Sequence, residues 1–136
     1  MVEDAHEDQG IAEGTFDSLY GLELIAVEVG KVSGYVPVSR AVQQPFGVVH
    51  GGVYCSIAES LASIGTWFAV KDEGKIALGV SNQTSFLRPI TGGRINGCAE
   101  AIHSGRTTWV WDVRLEDDDG RLCAVSRMTI AVRTPV

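Results

Sequence analysis

A stretch of twenty residues that starts just after His50 constrains the fold of this chain more than any other segment. Its large apolar side chains fall at Tyr54, Ile57, Leu61, Ile64 and Phe68. That spacing is typical of one buried stripe on an α-helix. The sequence therefore predicts a helix from about Gly51 to Val70, which ends at the polar residues before Gly74.

Two polar features of this helix indicate chemistry. Glu59 stands two residues from Ile57 and two from Leu61, so at about 100° per residue it points away from the buried stripe. Gly51 and Gly52 fall in the first turn, where backbone N–H groups lack intrahelical partners and the positive end of the dipole lies. Such a turn can hold a developing negative oxygen, and the carboxylate supplies a base or a nucleophile.

Length and charge limit the possible functions. A chain of 136 residues is most simply one domain, which we place at residues 14–136 after an acidic tail at 1–13. The net charge of −6 argues against nucleic-acid binding, because such proteins usually carry a basic stripe. The sequence has no run of 18 apolar residues, which predicts no membrane span. The acidic N-terminus is unlike a signal peptide, so we expect a cytoplasmic protein.

The cysteines and histidines are scattered along the chain. Cys55, Cys98 and Cys123 form neither a CxxC pair nor a disulfide framework. The three histidines are equally dispersed, so the sequence predicts no metal site and no cofactor. Three tryptophans, Trp67, Trp109 and Trp111, are predicted to be core or interface residues, although one could line an aryl pocket.

The rest of the chain has the pattern of a sheet. A short helical turn is expected between Gly14 and Tyr20. Six extended segments are predicted at 22–29, 31–39, 76–87, 93–103, 107–115 and 122–132. Short connections such as Asp118-Asp119-Gly120 favour antiparallel neighbours. The predicted architecture is α+β, with one long helix against a curved antiparallel sheet of five to six strands.

Several short motifs together carry a family resemblance. They are His50-Gly51-Gly52, Glu59 eight residues after Gly51, Ala62-Ser63, Asn82, Phe86-Leu87-Arg88-Pro89, Gly105-Arg106-Thr107-Thr108 and Gly120-Arg121-Leu122-Cys123-Ala124. With these motifs, over residues 20–134, the chain resembles the hotdog-fold acyl-CoA thioesterases. More narrowly, it is similar to the phenylacetate-pathway and Arthrobacter-type 4-hydroxybenzoyl-CoA thioesterases. The resemblance implies hydrolysis of an acyl-CoA with an aryl or medium-length acyl group.

The resemblance also implies roles for individual residues. Glu59 matches the catalytic carboxylate, and the Gly51 N–H matches the donor that polarises the thioester carbonyl. Gln44 matches an assisting side chain, and Ser63 falls where relatives place water, although it could simply pack under the sheet. His50 is either a chemical group or a residue that fixes its loop. The candidates for substrate binding are Gly52, Asn82, Arg88, Arg106 and Thr107, of which Asn82 could instead satisfy buried backbone.

The spacing of the two central groups predicts an oligomer. Eight residues of helix separate Gly51 from Glu59 by roughly 12 Å along the axis. A reacting carbonyl needs both groups within about 3 Å, so one chain cannot supply both. A second copy with its helix antiparallel solves the problem and gives two equivalent sites. We therefore expect a homodimer or a dimer of dimers such as a homotetramer.

Two other functions stay open at this point. A 3-hydroxyacyl-thioester dehydratase or hydratase would use a histidine with an acidic residue, as His50 and Glu59 could provide. However, the Pro-Gly sequence of such enzymes is missing here. A non-catalytic acyl-CoA-binding module is the second alternative, although binding alone would not need a carboxylate at Glu59. An assay that distinguishes turnover of an acyl-CoA from binding without product would separate these functions.

Overall fold

The long helix forms where the sequence predicts it. We describe residues 11–136 of a computed structural model, so the expected acidic tail lies almost wholly outside the described residues. Two helices are present in this part of the chain, α1 (Phe16–Tyr20) and α2 (Gly51–Val70). The strands are β1 (Glu23–Glu28), β2 (Lys31–Pro37), β3 (Ile76–Phe86), β4 (Arg94–Ser104), β5 (Thr108–Glu116) and β6 (Leu122–Arg133). Short 3-10 turns lie at Arg40–Val42 and Lys71–Glu73.

The six strands form one sheet, and every neighbouring pair in it is antiparallel. The order is β1-β2-β4-β5-β6-β3, so the first strand and the strand that follows α2 are its two edges. One face of this sheet packs against α2. The structure confirms the predicted α+β architecture, with six strands and one long central helix.

The buried face of α2 differs from the predicted stripe in its second half. Tyr54, Ile57 and Leu61 are buried as expected, but Ile64 and Phe68 are only partly buried. Small residues replace them on the buried face, since Gly65 and Thr66 face the sheet. The fully buried Trp111 explains this difference, because its indole occupies the space that a Cβ at position 65 would need.

A hydrogen bond fixes that packing. The indole nitrogen of Trp111 donates to the Thr66 hydroxyl over 2.9 Å, and the hydroxyl donates to the Ala62 carbonyl over 2.9 Å. Trp109 stacks on Trp111 at 5.8 Å between ring centroids and is also buried. These two tryptophans are therefore core residues, as predicted, whereas Trp67 is partly exposed.

The central helix is apolar enough to raise the question of a membrane. The segment Gly51–Glu73 is 23 residues long and contains an 18-residue window with a mean hydropathy of 1.3, which by length and composition alone would allow it to cross a bilayer. The prediction of no membrane span stays a prediction. The core helix of a globular domain meets the same criteria, and here the sheet packs against α2 and buries eight of its residues.

Candidate active site

The first turn of α2 leaves one backbone donor available. His50 is the N-cap, and its Nδ1 accepts a hydrogen bond from the Gly52 N–H over 2.8 Å. The Val53 N–H donates to the His50 carbonyl over 3.0 Å. Within residues 11–136, the Gly51 N–H meets no acceptor. The turn therefore presents one free N–H at the positive end of the helix dipole.

Gly51 also lines a cavity of about 450 Å³. It is lined by Gln44, Val48, Val49, Gly51, Tyr54, Phe86, Leu87, Arg88 and Pro89. Three residues that the sequence singles out, Gln44, Gly51 and Arg88, thus come together in one mostly apolar cavity. The cavity is suited to a ligand with an apolar body and one oxygen that needs a hydrogen bond.

The two neighbouring glutamines before the helix have different roles. The Gln43 amide nitrogen donates to the carbonyls of Gly47 and Thr91, both over 3.2 Å, and so holds the loop together. Gln44 lines the cavity, and its side-chain oxygen accepts from the Phe46 N–H. Gln44 is therefore the glutamine of the two that lines the cavity, and its role in the reaction stays a prediction.

Two aromatic residues build the wall of the cavity. A Cβ added at Gly51 would lie 2.9 Å from the tip of the Phe86 ring, so this ring lies directly against the helix start. Tyr54 is next to Phe86, with 5.9 Å between ring centroids, and is only 3% exposed. Burial raises the pKa of Tyr54 to about 12. Its hydroxyl lies near the Ile90 backbone but meets no partner at hydrogen-bond geometry within residues 11–136.

Glu59 lies outside this cavity, further along the helix. Its side chain is exposed and lies against β3, where a Cβ added at Gly79 would be 3.0 Å from the carboxylate Oε2. Ser63 is one turn further along the same side of α2 and is partly buried. The carboxylate and the free Gly51 N–H therefore lie at two separate places on one chain, as the helix rise of about 1.5 Å per residue requires, and we call them the candidate half-sites.

Asn82 connects α2 to β3 between these half-sites. Its amide nitrogen donates to the Cys55 carbonyl over 2.9 Å, and its oxygen accepts from the Thr84 hydroxyl over 2.7 Å. The hydroxyl of the buried Ser126 lies 2.9 Å from the Thr84 hydroxyl and donates to it, because Thr84 uses its one proton on Asn82. Cys55 is one turn before Glu59, so Asn82 fixes the turn that leads to the carboxylate. This placement fits the alternative in which Asn82 satisfies buried backbone.

The candidate phosphate contacts lie at two different ends of the sheet. Arg88 is at the cavity, just after the end of β3. Arg106 and Thr107 form the turn between β4 and β5. That turn leads into Thr108, which pairs with Ala131 on β6. On the other side of β6, Ala131 pairs with Leu78, near the beginning of β3. These two candidates therefore lie at the Glu59 end of the strand, away from the cavity.

A second cavity, of about 560 Å³, lies on the other side of the helix start. It is lined by Phe16, Leu19, Tyr20, Ala41, Val42, Gln43, His50, Gly52, Val53 and Ser56. The Ser60 hydroxyl donates to Asp17 over 2.6 Å and so attaches α1 to α2, while the Tyr20 hydroxyl donates to the same carboxylate from within α1 over 2.8 Å. The His-Gly-Gly sequence thus separates two cavities, and Gly52 faces the second.

Metal chemistry has no support in the described part of the chain. Across residues 11–136, no group of three or more His, Cys, Asp or Glu side chains could hold an ion. Cys98 and Cys123 have a raised pKa because they are buried, so both thiols stay protonated near neutral pH. The expected absence of a metal and of a cofactor stays a prediction.

Comparison with known proteins places this geometry in a family. The thioesterase superfamily model matches residues 46–124. The chain is 38% identical to a 1,4-dihydroxy-2-naphthoyl-CoA hydrolase from Listeria monocytogenes over 83% of this chain and 91% of that protein. It is 31% identical to the proofreading thioesterase EntH from Klebsiella pneumoniae over 89% of this chain and 88% of that protein.

Solved structures agree with these sequence matches. A mutant of thioesterase PA1618 from Pseudomonas aeruginosa superposes with a TM-score of 0.85 at 32% identity, over 97% of this chain and 91% of that one. Thioesterase HI1161 from Haemophilus influenzae gives a TM-score of 0.87 at 30% identity, over 98% and 91%. This chain therefore belongs to the thioesterase superfamily, has the hotdog fold and is a thioester hydrolase.

Sequence reasoning missed three residues that shape the site. Phe86 was noted only as part of a motif, yet its ring covers Gly51. Tyr54 was assigned only to the buried stripe, yet it also lines the cavity. Gly79 gave no local signal, because its importance comes from the side chain that packs on it across the fold. An aromatic residue next to the Leu87-Arg88-Pro89 sequence was the one signal that could have pointed to the cavity wall.

Proposed function

We propose that this protein hydrolyses an acyl-CoA with an aryl or medium-length acyl group, and that it belongs to the phenylacetate-pathway and 4-hydroxybenzoyl-CoA branch of its family. One observation carries the proposal, namely the free Gly51 N–H in a mostly apolar cavity. The aryl preference is supported by the Listeria relative, whose name specifies a naphthoyl-CoA.

The proposed reaction uses one group from each half-site. The thioester carbonyl oxygen accepts a hydrogen bond from the Gly51 N–H. This bond stabilises the negative charge that forms on the oxygen when the carbonyl carbon is attacked. Glu59 either attacks this carbon or takes a proton from an attacking water. The carbon–sulfur bond then breaks, and CoA leaves as a thiolate that takes up a proton. If Glu59 was the nucleophile, the acyl group is left on it as a mixed anhydride, and a water then hydrolyses this anhydride to the free acid and regenerates Glu59. A thiolate is a good leaving group, so the reaction needs no strong general acid.

A second copy of the chain can join the half-sites through β3. This strand is a sheet edge, so its outer backbone groups are unpaired within the protomer. On the helix, Cys55 lies midway between Gly51 and Glu59, and it is level with Asn82 on the strand. Antiparallel pairing of two β3 strands about Asn82 would therefore place Gly51 of one protomer near Glu59 of the partner. Gln44 and Arg88 would then serve the same site as the partner's Ser63, and His50 would hold the helix start beside it.

Release of CoA from a panel of acyl-CoAs tests the reaction. We expect turnover by the wild-type enzyme and a loss of about a thousandfold or more in kcat for Glu59→Gln, with folding and oligomeric state unchanged. Chromatographic detection of CoA avoids interference from the three protein cysteines. If the panel binds but releases no CoA, the protein is not an acyl-CoA hydrolase, and hydration of an enoyl-thioester should be assayed instead.

Subunit complementation tests the shared site. Gly51→Pro removes the N–H, and proline is tolerated at the first helical position because that N–H has no intrahelical partner. The preceding His50 already has φ −66° and ψ 134°, which suits a residue before proline. Gly51→Ala is the matched control, because it adds a Cβ against Phe86 but keeps the N–H.

The expected results separate a shared site from one within a single chain. Gly51→Pro should lose about a hundredfold or more in kcat, and Gly51→Ala much less. When Glu59→Gln and Gly51→Pro protomers are mixed and reassembled, half of the dimers are mixed and each has one intact site. Activity should therefore return to about a quarter of the wild-type value. No recovery from verified mixed dimers would contradict the shared site.

A further inference from the structure

We infer that Gly79 is a positioning residue for the Glu59 carboxylate. The inference rests on the proposed catalytic role of Glu59 and adds a residue on a different element of the fold. A Cβ built at Gly79 would lie 3.0 Å from the carboxylate Oε2, 3.2 Å from Cδ and 3.4 Å from Cγ of Glu59. Three atoms of one side chain thus lie against the bare backbone of this glycine.

Position 79 needs a glycine because an added side chain would collide with Glu59, and not because the backbone conformation requires one. Gly79 has no positive φ, so an alanine could adopt its conformation without strain. Its partner on β6 is the fully buried Ile130, which shows that a side chain at position 79 would point to the helix. A side chain there would meet Glu59 first, and no other side chain lies as close.

A β-bulge follows immediately after this glycine. Gly79 pairs with Ile130 and Ser81 pairs with Thr129, so Val80 is an extra residue on β3. A bulge changes the direction of a strand locally and is frequent beside active sites. The bulge and the glycine therefore occur together at the point of the strand that faces Glu59.

Other glycines at the interface between α2 and the sheet differ from Gly79 in what they contact. A Cβ at Gly65 would meet the Trp111 ring and Val32, and a Cβ at Gly97 would lie 3.0 Å from Leu61, so both make room for the apolar core. Gly79 makes room for the charged end of an exposed, flexible side chain. An alanine at position 79 should therefore displace the carboxylate and leave the fold intact.

Kinetics of Gly79→Ala test the inference. We expect kcat to fall about 10- to 100-fold, because a carboxylate displaced by a few tenths of an ångström no longer fits the reacting geometry. KM, Tm and the oligomeric state should stay at wild-type values. Gly92→Ala is the matched control, because a Cβ at that glycine meets nothing within 4 Å and its φ is not positive. It should leave all four properties unchanged.

A shorter acid provides the rescue experiment. In Glu59→Asp the carboxylate is withdrawn by one methylene, so the added methyl at position 79 no longer touches it. We expect Gly79→Ala to have little further effect on kcat in that background. A glycine that acted only through strand stability would lower kcat by the same factor in both backgrounds and would lower Tm, which would overturn the inference.

The two proposals can fail separately. If Glu59→Gln keeps wild-type turnover, the proposed function is wrong at its central residue. If Glu59→Gln is inactive but Gly79→Ala keeps the wild-type kcat, the catalytic role stands and the positioning role of Gly79 is wrong.

Discussion

The two edges of the sheet are similar in one detail and different in most others. Each edge strand has a bulge with one extra, exposed aliphatic residue, Ile25 on β1 at 63% exposure and Val80 on β3 at 64%. The first strand has only six residues and begins and ends with a glutamate. The other has eleven residues and contains no charged residue and no proline.

This difference indicates which edge is suited to pairing. Native proteins protect exposed edges with short strands, charges or proline, and β1 has two of these features. The strand β3 has none of them, and it also exposes Leu78 and Phe86. It is the same strand that holds Gly79 against Glu59 and Asn82 against Cys55. The edge that is open to a second copy is therefore the edge that organises the site.

The largest effect is expected from a charge placed in the bulge of β3. The same charge in the bulge of β1 tests whether the two edges really differ. Val80→Lys should weaken the dimer about a hundredfold or more, because a lysine at an edge opposes strand pairing. The rate of hydrolysis at low protein concentration should fall by a similar factor, since the two half-sites meet only when the protomers are paired. Analytical ultracentrifugation and CoA release measure the two effects.

Ile25→Lys is the matched control on the other edge. It places the same charge in a bulge of similar exposure on β1. We expect no change in dimer affinity and no change in kcat. Equal effects of the two substitutions would show that the edges do not differ as described.

The contact between Asn82 and the helix should give a smaller effect. Asn82→Ala leaves the Cys55 carbonyl without its side-chain donor and should cost about 1–2 kcal/mol of unfolding free energy. We also expect kcat to fall about tenfold, because the turn before Glu59 is less firmly held. Urea unfolding and steady-state kinetics measure both quantities.

Asn96→Ala provides the comparison on a strand away from the site. Asn96 donates to the exposed Asp118 over 2.9 Å. Its loss should cost about 0.5 kcal/mol, since an exposed hydrogen bond is replaced by water, and should leave kcat unchanged. A larger kinetic effect for this residue than for Asn82 would contradict the role of β3.

The buried hydroxyl of Tyr54 should give the smallest effect, and one that depends on pH. Burial raises its pKa to about 12, so the fold favours the neutral phenol. Because the ordinary pKa is about 10, this stabilisation is complete below pH 10 and is lost as the pH rises towards 12. Tyr54→Phe should therefore be within about 1 kcal/mol of wild type at pH 7 and more stable than it at pH 11.

Urea unfolding at the two pH values measures this difference. The half-exposed Tyr35 offers a control as Tyr35→Phe, which should not change the alkaline loss. Tyr20 also has a raised pKa through burial, so some alkaline loss should persist in Tyr54→Phe. If Tyr54→Phe loses as much unfolding free energy between pH 7 and pH 11 as the wild type does, this hydroxyl is not the titrating group.

Local sequence patterns were sufficient for the elements but not for their arrangement. The helix was predicted from Gly51 to Val70 and is found there, because its caps and its apolar spacing are local signals. The strand boundaries agree within one or two residues. The position of β3 at an edge beside β6 was not predicted, because strand order depends on pairing between distant segments.

The same distinction holds for the site. The separation of Gly51 from Glu59 along α2 could be predicted from helix geometry, whereas their catalytic roles rest on a family motif and stay predictions. The rotation of the buried stripe from Ile64 and Phe68 to Gly65 and Thr66 could not be predicted, because it depends on where Trp111 enters from β5. Gly79 was missed for the same physical reason, since the side chain that needs its space comes from another element.

The hydrogen bond within the His-Gly-Gly sequence has a consequence for the chemistry of the histidine ring. Because Nδ1 of His50 accepts the Gly52 N–H, the neutral imidazole must carry its proton on Nε2. The tautomer is thus set by the backbone two residues later. The same bond uses the N–H of Gly52, which is therefore not available to a ligand. Of the two adjacent glycine amides, only that of Gly51 can then donate to a substrate oxygen.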